Sequence, residues 1–118
     1  MDKVELTKRT KEFAIRVFKL VDNFPKSKSA DVVAYQLLKA SSSVAANYRA
    51  TCVAQSANSF VAKLSIVIEE IDEASFWLEF IIDEQLIKKE MVGPLFQESN
   101  ELTAIFIASR KTLQTHNQ

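Results

Sequence analysis

The chain has 118 residues, is 47% hydrophobic and is formally neutral, with 15 Lys/Arg against 15 Asp/Glu. This length suits one domain around a single core, and one Gly with two Pro supplies too few turn residues for a many-stranded β-fold. Overall neutrality argues against strong polyanion affinity, and a lone Cys52 excludes an intramolecular disulfide. That cysteine fits a reducing cytosol, where an isolated thiol behaves as a small hydrophobe. Met1 to Lys11 is charged throughout, unlike a secretory leader. The longest apolar run, Ala74 to Ile82, is interrupted by Glu79 and is too short to span a bilayer. The expectation is a soluble cytoplasmic protein with no membrane partner.

The first predicted helix covers residues 4–22, with Leu6, Phe13, Val17, Leu20 and Phe24 as its apolar stripe and Ile15, Phe18 and Val21 widening it. Asn23-Phe24-Pro25 ends it, since a proline disfavours helical geometry in the residue before it. The second helix covers 30–49, with Ser29 as N-cap and Asp31 in the first turn, where the helix dipole favours negative charge. Its seam reads Val33, Leu37, Ala40, Val44, Asn47. Gln36, Ser43 and Asn47 share nearly one face and suggest a buried polar network that fixes helix register.

The third helix, residues 58–84, is about 40 Å long at 1.5 Å per residue. Ser56 or Ser59 suits its cap. Phe60, Leu64, Val67, Ile71, Ala74, Leu78 and Ile81 recur at alternating steps of four and three, which holds one stripe facing partner helices. The fourth helix covers 94–113, with Pro94 at its first position, where the missing N–H costs nothing. A short turn over Lys88 to Val92 is expected before it. Its apolar residues are Leu95, Leu102, Ile105, Phe106 and Leu113, and the tail from Gln114 to Gln118 should fray. Four helices on short connections give an all-α, antiparallel up-down-up-down four-helix bundle forming a single domain over residues 1–118.

Charge is unevenly placed. Residues 1–50 hold ten Lys/Arg against five Asp/Glu, and residues 51–118 hold five against ten. Lys8, Arg9, Lys11, Arg16, Lys19, Lys26, Lys28 and Arg49 form the candidate nucleic-acid surface, although Glu5, Glu12 and Asp22 interrupt it. Glu69, Glu70, Asp72 and Glu73 suggest a metal site at first sight. Di-iron bundles, however, take Glu-x-x-His pairs facing inward from several helices, and the one histidine, His116, lies in the tail. A solvated face paired with basic residues of the first two helices, in the same or a neighbouring subunit, is the plainer reading. Phe76 to Ile82 is apolar nearly all round, more than a monomeric bundle needs to bury. Ile15, Phe18, Phe76, Trp77, Phe80 and Ile82 are therefore the candidate oligomer interface. Tyr48 and Trp77 are of a type that stacks on bases, and core packing is the commoner fate. Cys52 has no evident base to make it a nucleophile.

Gln36-Leu37-Leu38-Lys39-Ala40 and Ser43-Val44-Ala45-Ala46-Asn47-Tyr48-Arg49-Ala50 resemble the second-helix signature of the bacterial four-helix bundle proteins encoded by intervening sequences in 23S ribosomal RNA genes, often grouped with ribosomal proteins on that account. Phe60, Lys63-Leu64, Ile66-Val67, Glu69-Glu70, Asp72-Glu73 and Trp77-Leu78-Glu79 resemble the third helix of that family. Phe24-Pro25 resembles its first bend, and Glu101-Leu102 with Ala108-Ser109-Arg110-Lys111-Thr112 its fourth helix. The resemblance covers nearly the whole chain. It implies a cyclic homopentamer and kinship with the accessory variability determinant of diversity-generating retroelements, a pentameric barrel that binds nucleic acid and a reverse transcriptase. Two departures from the pattern matter: Ala45 stands where the family commonly has Gly, and Val53-Ala54-Gln55 where it often has basic residues. The second departure weakens the implied nucleic-acid role and leaves the fold untouched.

No nucleophile–base pair, phosphate loop or metal-ligand spacing is present, so the expectation is a non-catalytic protein without cofactor. The leading reading is a self-assembling bundle with weak RNA or DNA contact through its first helix. The alternative is a protein-interaction adaptor with no nucleic-acid role.

Overall fold

A computed structural model describes residues 1–116. It contains four helices, α1 (Lys3–Val21), α2 (Lys28–Thr51), α3 (Ala57–Glu84) and α4 (Lys89–His116). Each packs on its neighbours in the order α1–α2–α3–α4–α1, while the backbones of the diagonal pairs α1/α3 and α2/α4 stay apart. The result is an antiparallel up-down-up-down bundle measuring 49 × 21 × 19 Å. α3 is the best-packed helix, against α2 and α4, and the α1–α4 seam is the thinnest.

The helix starts follow side-chain capping. Asp2 Oδ1 accepts from the Glu5 N–H at 2.8 Å, Ser27 Oγ from Ala30 at 3.1 Å and Ser56 Oγ from Ser59 at 3.0 Å. The second of these corrects the sequence reading. Ser27, two residues before Ser29, caps α2, so the helix starts at Lys28 and the completely buried Ala30 donates its N–H to the cap. α3 ends at Gln85, which takes a left-handed conformation (φ 55°) so that the Leu86 N–H can reach the Ile81 carbonyl at 3.2 Å.

α4 departs most from expectation. It starts at Lys89, five residues before the predicted position, and carries Pro94 inside it. The helix can run through because Gly93 precedes the proline and has no Cβ to crowd the proline ring. At the other end α4 is helical through Gln114, Thr115 and His116, where fraying was expected. The rest of that expectation, Asn117 and Gln118, lies outside the described residues.

The core joins the predicted stripes. Leu64, Val67, Ile71, Ala74, Leu78 and Ile81 of α3 are all essentially inaccessible, and Phe60 is half-buried at their head. On α1 the row is Leu6, Thr10, Phe13, Val17 and Leu20, with the Thr10 hydroxyl donating to the Leu6 carbonyl at 2.8 Å. On α2 the seam runs Val33, Leu37, Ala40, Val44 and then Tyr48, not Asn47. A step of four from Val44 brings Tyr48 under α4, where it stacks on Phe106 at 5.4 Å between ring centroids. Tyr48 is thereby removed from any role in base stacking. Between α3 and α4, Ser75 donates to the buried Ser99 hydroxyl at 2.8 Å, and Ser99 donates to the Phe96 carbonyl at 2.7 Å.

Candidate functional site

The described residues contain no group of three or more His, Cys, Asp or Glu placed to hold a metal ion, and no helix among them is long and apolar enough to cross a membrane. The outer faces of α1 and α3 carry what the core leaves over.

On α3 the core row is matched by an aromatic patch on the opposite face. Phe76 and Phe80 are 55% and 36% exposed. Phe76 meets Trp77 edge-on at 4.9 Å, and Trp77 meets Phe80 at 5.4 Å. Trp77 and Ile82, both predicted interface residues, are half-buried against the chain's own core. They support the patch more than they form it. Glu69, Asp72, Glu73, Glu79, Asp83 and Glu84 surround it, all exposed. Among the described residues the ion pairs within 4 Å are Lys8–Glu12, Arg9–Glu98 and Arg9–Glu101, so none of these six carboxylates is paired within the chain. α1, which carries six of the fifteen Lys/Arg, stands diagonally across the bundle and cannot supply them. Burial, together with Glu73 and then Glu69, holds the Glu70 carboxyl above its usual range, against the opposing pull of Lys39.

On α1, Lys11, Ile15 and Phe18 follow at steps of four and three and form one outward row. Ile15 is 45% and Phe18 49% exposed. Lys11, at the head of this row, flanks a groove of about 470 Å³ between α1 and α2, floored by Ala14, Ser42, Ala45 and Ala46 and flanked on its other side by Arg49. Tyr35 of α2, also exposed, is seven residues before Ser42 and so lies on the same side of its helix. The sequence reading missed the groove and Tyr35, although the row Tyr35, Ser42, Ala46, Arg49 has the helical spacing that could have found them.

The predicted polyanion residues do not form one field. Arg9 is held in a bidentate pair with Glu98, at 2.7 and 2.6 Å, with Glu101 at 3.6 Å. Its guanidinium is held above its ordinary value by that hydrogen bond to Glu98. It clasps α1 to α4 and is spent. Lys8 faces Glu12 at 3.9 Å. Arg16 and Lys19 line a shallow groove on the α4 side with Met91, Pro94 and Leu95, whereas Lys11 and Arg49 flank the groove on the α2 side. Lys26 is in the α1–α2 connection, and Lys28 starts α2. Gln36, Ser43 and Asn47 are half-buried on one flank of α2, and no hydrogen bond joins them. The buried polar side chains of α2 are Ser41 and Thr51, each donating to a carbonyl of its own helix, at Leu38 and Asn47.

The family model for the 23S rRNA-intervening sequence protein matches residues 2–108. The chain belongs to the 23S rRNA-intervening sequence protein family. A crystal structure of a protein of unknown function from the S23 ribosomal protein family of Bacteroides thetaiotaomicron is similar to it, with 29% identity over 94% of this chain and 99% of that one and a TM-score of 0.84. No curated protein matches the chain. Family membership therefore fixes the fold and leaves the activity of this chain to be argued from its surfaces.

Proposed function

We propose that this protein is a non-catalytic scaffold that works by assembling with copies of itself. The observation that carries this reading is the pair of exposed apolar patches, Phe76/Phe80 on α3 and Ile15/Phe18 on α1, on helices whose inner faces already complete the core. A bundle that acts alone gains nothing from large apolar side chains outside its core, and contiguous exposed patches of this kind mark contact surfaces. The homopentamer implied by the family resemblance is the assembly this reading expects.

Nucleic-acid contact is the weaker part of the reading. With Arg9 in its clasp, Lys8, Lys11, Arg16, Lys19, Lys26, Lys28 and Arg49 remain as candidates, spread over α1, the α1–α2 connection and α2. Assembly would multiply such a weak field. Filter binding at low and raised salt tests it: RNA or DNA affinity must fall steeply with salt. An adaptor that takes a different protein on the same patches, a reverse transcriptase among them by family analogy, remains the alternative.

Multi-angle light scattering tests the main reading directly. The expected mass is a multiple of 13.3 kDa. A single species at the monomer mass overturns self-assembly and favours the adaptor.

A further inference from the structure

We infer that the α3 aromatic patch of one copy seats in the α1/α2 groove of the next, so that the copies join head to tail. This rests on the self-assembly reading and adds which two faces meet.

Shape is the first argument. The groove floor is made of Ala14, Ser42, Ala45 and Ala46, whose small side chains leave room between α1 and α2 for rings. Phe76 and Phe80 project from α3 and are braced by Trp77, which is itself anchored against the core. A braced aromatic pair beside a small-residue floor has the form of an interface anchor and its pocket.

Charge is the second argument, and it decides between the possible pairings. The patch is rimmed by carboxylates that have no cation of their own chain, Glu69 and Glu73 among them, and the groove is rimmed by Lys11 and Arg49, which pair with no carboxylate in the chain. Joining patch to patch sets acid against acid, and joining groove to groove sets base against base. Joining patch to groove satisfies both rims. The third argument is position. The patch is on α3 and the groove is between α1 and α2, on the far side of the bundle. One copy cannot present both faces to the same neighbour, so the contact is heterologous and each copy has two neighbours.

The test uses two surface variants of the full chain, each checked for helicity by circular dichroism. Phe76→Glu with Phe80→Glu removes the patch, and Ile15→Glu with Phe18→Glu spoils the row that Lys11 heads at the groove. Each alone is expected to be a monomer, and an equimolar mixture is expected to give a one-to-one pair, since one variant keeps the groove and the other the patch. Charge reversal gives a second route that spares the apolar contacts. Lys11→Glu with Arg49→Glu weakens assembly about tenfold or more, and adding Glu69→Lys with Glu73→Lys restores it. Self-association of the Ile15/Phe18 variant alone, a mixture that stays monomeric, or no rescue by the reversed acids overturns the pairing while wild-type assembly stands. A monomeric wild type instead removes the self-assembly reading itself.

Discussion

α1 and α3 run in the same direction on diagonally opposite corners of the bundle, yet they are held by different physics. α3 has 28 residues and an unbroken apolar row facing both neighbours. α1 has 19 residues, a core row interrupted by Thr10, and its thinnest contact against α4, where Arg9 clasps Glu98. Their backbones stay apart, and at their starts Lys3 reaches over the Phe60 ring at 4.9 Å. A long helix with a full apolar stripe can be held by shape alone. A short one with a narrower stripe draws on a specific charged contact to fix its place.

The contrast breaks if the two helices respond alike to mutation. Leu78→Ala leaves a cavity in the middle of the α3 row and should cost about 3 kcal/mol in denaturant unfolding. A loss below about 1 kcal/mol would show that α3 is not held by close packing. Arg9→Met should cost about 2 kcal/mol, chiefly by leaving the half-buried Glu98 carboxylate without its partner. Adding Glu98→Leu should recover much of that loss, which a cavity mutation in α3 cannot do. If the double variant is no better than the single one, the clasp is not what holds α1 to α4.

The shared end of the two helices adds a pH dependence. Tyr48 is buried there, and burial first, then the neighbouring Cys52, pushes its hydroxyl well above the ordinary tyrosine value. Below about pH 10 both folded and unfolded chains keep the proton. Above it the unfolded chain loses the proton and the folded chain does not, so stability falls by about 1.4 kcal/mol per pH unit until the folded value is reached. Unfolding measured across pH 9 to 11 should show this slope, and Tyr48→Phe should remove it. An unchanged slope in that variant would mean that other groups carry the alkaline loss.

How much of this was legible beforehand follows from the range of each interaction. The four helices and the α3 row were readable, because burial of a stripe is written at spacings of three and four. The α3 cap was readable only as Ser56 or Ser59, and the structure selects Ser56. Ser27 over Ser29, and Tyr48 over Asn47, were not, since both choices satisfy the local rule and only the packed neighbour selects one. Pro94 misled because its rule treats the proline alone, and Gly93 beside it changes the sterics. The Arg9–Glu98 pair spans 89 residues of sequence and has no local sign at all. The surface patches were half legible: Phe76, Phe80, Ile15 and Phe18 stood out as surplus apolar residues, while the groove beside Lys11 depends on how α1 and α2 come together.

The mildest prediction concerns how α3 ends. Gln85 holds a left-handed conformation that costs a residue with a Cβ about 1 kcal/mol, and it does so to let the backbone N–H groups of Gln85 and Leu86 reach the last turn of α3. Gln85→Gly should therefore stabilise the protein by about 1 kcal/mol, reduced somewhat by the greater freedom of glycine in the unfolded chain. Since the change leaves both rows of α3 untouched, its gain should add to the loss from Leu78→Ala when the two are combined, as expected for sites that share no contact. A shortfall in that sum would mean that the cap and the inner row are coupled, and that α3 relies on its terminus as α1 relies on Arg9.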